Sequence, residues 1–363
     1  MEDKKLKVAL VSFTDRGGRL NQRLAKELER KGYVCAGYEK RSRQKDRPDM
    51  GQGLLAVEES VSQWAGRRFM DADHIVFVGA MGIAVRSIAP WIGDKWTDPS
   101  VAVIDEAGRF VISVLSGHAG GGNDLAAEAA GILGAVPVIT TATDINQLFA
   151  VDVFAVKNAL WVTDKALARE ISGEVLSGGK VGVFSDYPLE GPRPGELTWE
   201  KRQKRNFWVT RRRGSCPWKG PGEGVLKLVP KVVHVGIGCR KDTPEGVLEE
   251  ALFQALERWD CVLESVAAIA TIDLKKQEPG LLGLARGLGT CFRTYKAREL
   301  AEVEGEFQES SFVAQVTGIG NVCERAALKS AGENGARGKR ICGKQVISGV
   351  TIALAEETWK GTL

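Results

Sequence analysis

The chain has 363 residues, of which 44% are apolar and 26% charged, and its formal net charge is +4. This length suffices for two or three domains with full-sized cores, and no apolar run approaches the roughly 18 residues that a membrane span requires. Seven scattered cysteines without a CxxC pair favour reduced thiols, and the charged N-terminus has no apolar signal-peptide core. We therefore expect a soluble, cytoplasmic protein that binds no membrane.

Apolar runs alternate with amphipathic segments through residues 1–142. The pattern predicts strands at residues 7–13, 33–38 and 74–78, and helices at residues 20–30, 54–64 and just before Pro90. Two further apolar runs, at 101–104 and 110–115, flank turn-forming residues 105–108 and predict a hairpin or tight reversal. The alternation predicts an N-terminal α/β domain with a mainly parallel sheet.

A glycine-rich segment, residues 115–125, follows the apolar run 110–115, which we expect to be a buried strand, and precedes a predicted helix at 126–135. Uncovered backbone N–H groups and a helix N-terminus favour anions, and open α/β sheets bind ligands at strand carboxyl ends. The segment contains His118, a candidate general base, because neutral imidazole can accept a proton near pH 7. Its candidate ligand-binding residues are Gly120, Gly121, Gly122 and Asn123. Asn123 is explained equally well as a helix N-cap.

The pattern weakens between residues 143 and 228. Predicted helices at 154–161 and 165–171 and a strand at 180–184 indicate a small middle domain, and residues 188–224 are rich in Pro, Gly and basic residues, which is typical of a linker. Residues 201–213 contain seven basic residues and no acidic one, interleaved with Phe207 and Trp208. Such a run indicates a solvated surface strand or, less commonly, a contact for single-stranded nucleic acid.

Residues 229–363 predict a second α/β domain, with a strand at 232–237 and helices at 244–258, 281–287 and 322–330. A Gly-Ile-Gly tripeptide at 236–238 and again at 318–320 is expected to follow a strand and precede a helix. Alone, these tripeptides are most simply tight turns, but two adjacent cations beside the first one suit a carboxylate clamp. The candidate ligand-binding residues here are Gly236, Gly238, Cys239, Arg240, Lys241, Gly318 and Gly320.

A third polar group, Asp273, Lys275 and Glu278, follows another predicted strand end. It forms either a site or an exposed capping turn. The three histidines are far apart in the sequence and belong to no Cys/His cluster, which argues against a catalytic metal bound by the protein. His74 and His234 lie among apolar residues and are expected to be structural.

Motifs in both α/β domains resemble the cobalt-precorrin-5A hydrolases of the CbiG type. In the N-terminal part they are residues 77–86, which include Gly79, Met81 and Gly82, the turn at 105–108 and residues 116–123. In the C-terminal part they are residues 236–241, 270–275 and 318–324, and Lys344. The resemblance covers nearly the whole chain in the family's order. It departs at Asn321, where the family pattern has a small residue such as Ser.

The resemblance implies a hydrolase of the anaerobic branch of cobalamin (vitamin B12) synthesis. Such enzymes open the δ-lactone of cobalt-precorrin-5A, which gives cobalt-precorrin-5B and acetaldehyde. The substrate carries the cobalt, so no protein cofactor or metal is expected. Lactone opening needs an activated water and donors for the oxyanion, which His118 and the amides of residues 120–122 could supply. Asp273 and Glu278 are further catalytic candidates.

The corrinoid substrate is a flat apolar ring with an anionic rim of acetate and propionate arms. The glycine-rich loops and the cations suit the rim, and apolar loop residues such as Met81 suit the ring face. The substrate-binding candidates that join those already named are Gly79, Met81, Gly82, Lys275 and Asn321.

The sequence thus predicts an α/β fold of two mainly parallel-sheet α/β domains joined by a small middle domain and a basic Pro/Gly-rich linker. We expect it to bind a small-molecule corrinoid and neither nucleic acid nor membrane; a homodimer is one of the assemblies left open. One alternative is a non-catalytic tetrapyrrole carrier or regulator, which would release no aldehyde. A nucleic-acid-binding protein would lose affinity steeply with salt.

Overall fold

A computed structural model describes residues 5–40, 53–94, 96–117, 120–141, 146, 148–199, 201–216, 224–335 and 337–363. Contacts between Cα atoms divide the chain into two compact units, Met1–Val156 and Lys157–Leu363. No helix in the described ranges combines the length and the apolar character that crossing a bilayer requires. The mixed α/β fold with mostly parallel sheets is confirmed.

The first unit is built around a seven-stranded sheet. Its strands are β1 (Lys7–Ser12), β2 (Val34–Glu39), β3 (Leu55–Ala56), β4 (His74–Val78), β5 (Ser100–Ile104), β6 (Phe110–Leu115) and β7 (Val136–Val138). Its helices are α1 (Asp15–Arg30), α2 (Val61–Asp71), α3 (Met81–Ile88), α4 (Gly122–Leu133) and α5 (Val151–Lys157). The strand order is β3-β2-β1-β4-β5-β6-β7. One core cluster includes apolar residues of α1 and α4, and another includes residues of α2 and α3.

Strand β6 runs against the parallel strands of this sheet. Val101 lies opposite Leu115 and Ile104 opposite Val111, so β5 and β6 form the predicted hairpin. The Asp105 carboxylate accepts the backbone N–H of Phe110 at 2.8 Å and closes the turn. Because of this reversal, the end of β6 lies beside the start of β5. The glycine-rich segment therefore follows the carboxyl end of a strand, as expected, but this end lies at the opposite edge of the sheet from the carboxyl ends of β1, β4 and β5.

Helix α2 begins later than the apolar pattern predicts. The Gln63 backbone N–H donates to the Ser60 hydroxyl, and the Ser60 backbone N–H donates to the Gln63 side chain, both at 3.2 Å. This reciprocal capping starts the helix at Val61. Leu55–Ala56, predicted to be helical, pairs with β2 instead.

The second unit contains a five-stranded middle sheet. Its strands are β8 (Trp161–Val162), β9 (Val181–Ser185), β11 (Leu197–Trp199), β12 (Arg205–Val209) and β13 (Leu226–Val229), in the order β11-β9-β12-β13-β8, with helix α6 (Lys165–Leu176). The short β10 (Leu189–Glu190) pairs with β19 (Gly361–Thr362) near the end of the chain. The segment 188–224, expected to grade from a small middle domain into a linker, contributes β10, β11 and β12 to the structure, and buried apolar side chains hold β12 in the centre of the sheet. The predicted boundary at residue 228 falls within β13, and the one at 142 lies outside the described residues.

Most of the basic residues in the run 201–213 form ion pairs with acidic residues of the same unit. Its ion pairs are Lys204–Glu174, Arg205–Glu170, Arg211–Glu356, Arg212–Asp186 and Arg213–Glu257, at 3.0 to 3.3 Å. Phe207 and Trp208 are fully buried in the sheet. Neither ring is therefore exposed for the base stacking that single-stranded nucleic acid would need.

The C-terminal sheet completes the second unit. Its strands are β14 (Val233–Gly238), β15 (Val266–Ile272), β16 (Cys291–Tyr295), β17 (Lys339–Ile347) and β18 (Val350–Glu356), in the order β16-β15-β14-β18-β17. Its helices are α7 (Glu245–Arg258), α8 (Pro279–Gly287), α9 (Ala297–Ala301), α10 (Ser311–Thr317) and α11 (Cys323–Ala331). Strands β14, β15 and β16 are parallel, and β18 is antiparallel to β14. Helices α7 and α8 pack on one face of the sheet and α11 on the other.

Candidate functional site

Several of the predicted C-terminal site residues lie where β14 and β15 end, at one edge of the C-terminal sheet. Gly238 ends β14 opposite Thr351, whose hydroxyl donates to the Gly238 carbonyl at 2.9 Å. Cys239 follows directly, and Asp273 opens a short 3₁₀ turn after β15. Carboxyl ends of parallel strands are the usual ligand position in open α/β sheets. Sequence reasoning missed Thr351, although a polar residue near the start of an otherwise apolar strand was a usable signal.

Glu278 is a buried carboxylate, 6% exposed, that joins the two loops of this edge. It accepts the backbone N–H of Asp242 at 2.6 Å and the ammonium group of Lys275 at 2.8 Å. Burial alone would raise the pKa of Glu278. The Lys275 ammonium and the backbone N–H groups of Asp242 and Thr243 lower it by a larger amount, so the pKa lies below its ordinary range. These contacts favour a positioning role for Glu278 over proton transfer.

Asp273 and Cys239 differ in what they offer to a ligand. The half-buried Asp273 carboxylate makes no side-chain hydrogen bond or ion pair within the described part of the chain, so it is available to substrate. Burial raises the pKa of the Cys239 thiol, which is therefore a weak nucleophile at neutral pH. Of the two, Asp273 is better suited to acid–base chemistry.

Arg240 and Lys241 are exposed on the turn after β14. Across the described ranges neither side chain has an ion-pair partner, so both charges are available to an anion. The turn is held by Thr243, whose hydroxyl donates to the Arg240 carbonyl at 2.8 Å. A Thr-Pro pair before a helix favours Thr as the N-cap residue and Pro in the first turn, but here Pro244 occupies the N-cap position of α7 and Thr243 lies one residue before it.

The two Gly-Ile-Gly tripeptides differ in structure. Gly236 and Gly238 lie inside β14, whereas Gly318 ends helix α10 with φ = +82°. The expectation that both follow a strand is therefore wrong. A β-carbon on Gly236 would lie 1.8 Å from the Cys323 carbonyl oxygen, so Gly236 allows α11 to pack directly on β14. Gly320 lies in the same loop as Gly318 and is buried.

Asn321 holds the start of α11. Its amide group donates to Glu324 at 2.7 Å and to the Gln308 carbonyl at 3.1 Å, while its carbonyl oxygen accepts the Glu324 backbone N–H at 3.0 Å. Residues of this loop share a core cluster with Ile272 and Tyr295, the last residues of β15 and β16. The loop therefore reaches the same edge as Cys239, but the Asn321 side chain is occupied by its own loop.

In the first unit, Gly79, Met81 and Gly82 lie at the carboxyl end of β4. The Gly79 backbone N–H donates to the Ile104 carbonyl at 2.8 Å, Met81 is half-buried at the start of α3, and Gly82 is exposed. Nearby, the Thr14 hydroxyl at the N-cap of α1 donates to Glu106. The apolar Met81 thus lies among backbone groups at a ligand-facing edge.

Gly120, Gly121, Gly122 and Asn123 lie at the opposite edge of the same sheet, around the N-terminus of α4. Gly121 is the N-cap residue, so the alternative that Asn123 caps the helix is wrong. Asn123 is buried and donates to the Thr141 hydroxyl at 3.0 Å. His118 lies outside the described residues, and its role as general base stays a prediction. The structure does not bring these glycines together with Met81 and Gly82.

Two further features delimit the site. Within the described residues, no three His, Cys, Asp or Glu side chains are grouped closely enough to hold a metal ion. A groove of about 850 Å³ in the second unit is lined by the end of α11 and the start of β17, including Glu302, Glu333 and Arg340. It contains none of the predicted site residues.

Comparison with known proteins connects both α/β regions to one pathway. The family described as "Cobalamin synthesis G N-terminal" matches residues 63–144, and the family described as "Cobalamin synthesis G C-terminus" matches residues 233–355. Over 343 residues the chain is 36% identical to the cobalt-precorrin-5A hydrolase of Salmonella typhimurium, with 90% of this chain and 92% of the relative covered.

This chain is also similar to a second relative and to one solved structure. The cobalt-precorrin-5A hydrolase of Priestia megaterium is 32% identical over 340 residues, with 89% of each chain covered. The crystal structure of a cobalamin biosynthesis protein G homolog from Sulfolobus solfataricus aligns with a TM-score of 0.42 and 22% identity over 96% of this chain and 97% of that one.

Proposed function

This chain belongs to the cobalamin synthesis G family, and from that membership we propose that it hydrolyses the δ-lactone of cobalt-precorrin-5A to give cobalt-precorrin-5B and acetaldehyde in anaerobic cobalamin biosynthesis. The observation that carries the proposal is 36% identity to a cobalt-precorrin-5A hydrolase over 90% of the chain. The region aligned with this relative includes the middle sheet, which neither of the two family matches covers.

The charges at the C-terminal edge support corrinoid binding. A ring that carries acetate and propionate arms presents several carboxylates at its rim. Arg240 and Lys241 offer two exposed, unpaired cations on a turn fixed by Glu278 and Thr243. Since a guanidinium group can bind a carboxylate through two parallel hydrogen bonds, Arg240 suits one arm of the rim.

Lactone opening requires water to attack the lactone carbonyl, so that the acyl–oxygen bond breaks and a carboxylate and a hydroxyl form. Release of acetaldehyde then requires the hydroxyl to lose its proton and become the aldehyde carbonyl while the carbon–carbon bond to the macrocycle breaks; the electron pair of that bond stays on the macrocycle, which takes up the proton. A general base must take the proton of that water, and donors must stabilise the oxyanion. We assign the base to His118 and the donors to the backbone N–H groups that precede α4. Asp273 is the second candidate base, because its carboxylate is not engaged by neighbouring side chains.

The chemistry needs no protein-bound cofactor, since the cobalt belongs to the substrate and hydrolysis transfers no electrons. We therefore propose that the enzyme uses no metal of its own. Prolonged dialysis against EDTA should leave turnover of cobalt-precorrin-5A unchanged within a factor of two. Loss of turnover that added zinc or magnesium restores would contradict this proposal.

The decisive experiment is anaerobic incubation of the protein with cobalt-precorrin-5A, with acetaldehyde trapped as its hydrazone and the corrinoid products separated by chromatography. We expect one acetaldehyde for each corrinoid consumed, and a product that elutes as cobalt-precorrin-5B. Tight binding of the corrinoid without acetaldehyde would contradict the proposal and favour a carrier. Protein inactivated by heat provides the control for spontaneous lactone opening.

A further inference from the structure

Helix α10 contributes no fully buried residue to the second unit and carries two exposed apolar side chains. Phe312 is 72% exposed and Val316 is 61% exposed. Because residues four positions apart lie on the same face of a helix, these two side chains form one apolar strip. Adjacent exposed apolar side chains mark interaction surfaces, whereas single ones are common and need no explanation.

The position of α10 is fixed by the chain segments on both sides of it. The backbone N–H of Ser310, the N-cap residue, donates to the Gly320 carbonyl at 2.8 Å and so joins the start of the helix to the loop after its end. Glu309 forms an ion pair with Arg325 of α11 at 3.1 Å, and Ile319 is buried in a core cluster. The helix is therefore held in place with little apolar burial of its own.

The apolar strip belongs to the edge of the C-terminal sheet at which β15 and β16 end. Val313, next to Phe312, is partly buried against the core cluster that includes Ile272 and Tyr295, the last residues of these two strands. Leu274, in the turn that follows β15, is 66% exposed. We refer to the three exposed apolar side chains of this edge together as the apolar edge surface: Leu274, Phe312 and Val316.

The same edge carries unpaired positive charge. Arg240 and Lys241, on the turn after β14, are exposed and have no ion-pair partner in the described part of the chain. Because β14, β15 and β16 are adjacent parallel strands, spaced by about 4.8 Å, their ends together span roughly 10 Å. A ligand that complements both features has a flat apolar body and an anionic rim.

We propose that the apolar edge surface binds one face of the corrinoid macrocycle, while Arg240 and Lys241 bind carboxylates at its rim. The conjugated ring system stacks on the Phe312 ring, and the aliphatic side chains of Leu274 and Val316 exclude water from the same face. This inference rests on the proposed function and deepens it, because it names the residues that recognise the ring itself. These side chains bind substrate and transfer no proton.

The variant Phe312→Gln tests the proposal, because it removes the aromatic ring and leaves a polar side chain. We expect KM for cobalt-precorrin-5A to rise about 10- to 100-fold, as for lost burial of a large apolar side chain, with kcat within a factor of two. The Tm should not fall, because the ring is exposed in the free protein. The matched control is Phe253→Gln, at an exposed phenylalanine of α7, which should keep the KM of the wild type. An unchanged KM in Phe312→Gln would overturn the proposal.

Hydrogen exchange of the wild-type protein provides a second measurement that needs no variant. Cobalt-precorrin-5A in excess should slow amide exchange in peptides that cover residues 311–317 and leave peptides of α6 unchanged. Unchanged exchange at 311–317 in protein that releases acetaldehyde would reject the apolar edge surface and retain the hydrolase. Absence of acetaldehyde would reject the proposed function, and slowed exchange at 311–317 in that protein would still support corrinoid binding at this surface.

Sedimentation of the wild type and of Phe312→Gln tests whether a second copy of the chain covers the apolar edge surface instead. We expect the variant to have the same assembly state as the wild type at every protein concentration. A wild-type oligomer that dissociates in Phe312→Gln, with KM unchanged, would overturn the proposal and assign the surface to a contact between subunits.

Discussion

The carboxylate of Glu278, which is buried, and the ammonium group of Lys275, which is partly exposed, form an ion pair with their charged atoms 2.8 Å apart. The same carboxylate accepts the backbone N–H of Asp242, so a single side chain fixes the loop after β14 to the loop after β15. Two of the three polar residues that the sequence singled out in this region therefore bind each other. The third, Asp273, makes no such side-chain contact within the described residues.

Replacement of Glu278 by Gln should destabilise the second unit. The amide keeps the shape of the side chain but leaves the partly buried Lys275 ammonium without its counter-charge, so we expect the free energy of unfolding to fall by about 1–3 kcal/mol. Urea denaturation measures the loss. Glu249→Gln, at an exposed position on α7, is the matched control and should change stability by less than about 0.5 kcal/mol.

The stabilisation by Glu278 should also depend on pH. Because its folded-state pKa lies below the ordinary value of 4.5, its contribution is fully present above that value and is lost as pH falls through the lowered folded pKa. The difference in stability between wild type and Glu278→Gln should therefore be constant at neutral pH and shrink in acid. A difference that grows as pH falls would contradict the assignment.

Gly236→Ala should disrupt the packing of α11 on β14. The added carbon would meet the Cys323 carbonyl oxygen at 1.8 Å, and a backbone atom of a packed helix cannot move aside at low cost. We expect a loss of about 3 kcal/mol or more, measured as a fall in Tm. Gly246→Ala is the control, since nothing lies within 4 Å of its added carbon, and alanine in a helix should stabilise by up to about 1 kcal/mol.

Arg240→Gln should weaken substrate binding without slowing the chemical step. Loss of one charge-assisted hydrogen bond of about 1.5 kcal/mol raises KM roughly tenfold while kcat stays constant. Steady-state acetaldehyde release gives both parameters. Arg286→Gln, an exposed arginine on α8, should leave KM unchanged. A large fall in kcat with an unchanged KM would instead indicate that Arg240 takes part in the chemical step.

His118→Gln should separate catalysis from binding. Glutamine keeps a donor and an acceptor but cannot take a proton at neutral pH, so turnover should fall about 10²- to 10⁴-fold while corrinoid affinity and Tm stay near wild type. Single-turnover rates and equilibrium titration measure the two effects. If His118 only holds its loop in place through hydrogen bonds, the corrinoid affinity and the Tm of His118→Gln should fall together. Wild-type turnover would transfer the role of base to Asp273.

Much of the strand and helix pattern could be predicted from local periodicity, and β4 was located to the residue. The edge at which a loop lies could not be read from periodicity, because it depends on strand direction. The hairpin signal at 105–108 did contain this information, since an antiparallel β6 must end beside Ser100. Combining the two observations would have separated the glycines before α4 from Met81 and Gly82.

Composition was a poor guide to the middle sheet. A basic, Gly-rich stretch resembles a linker, but Arg205 pairs with Glu170 of α6 and Trp208 fills the sheet interior. Long-range partners of this kind leave no local signal.

The direct contact between Gly236 and Cys323 has a consequence for substrate selection. With no side chain between β14 and α11, the strand and the helix form one rigid part, since close-packed interiors transmit displacement instead of absorbing it. The turn that carries Arg240 and the loop that contains Asn321 are both attached to this rigid part, so the distance between them is fixed. Under the proposed function, we therefore expect the enzyme to reject a macrocycle whose carboxylates do not match this spacing, and acceptance of a different tetrapyrrole to require new side chains on the loops, not a new spacing between them.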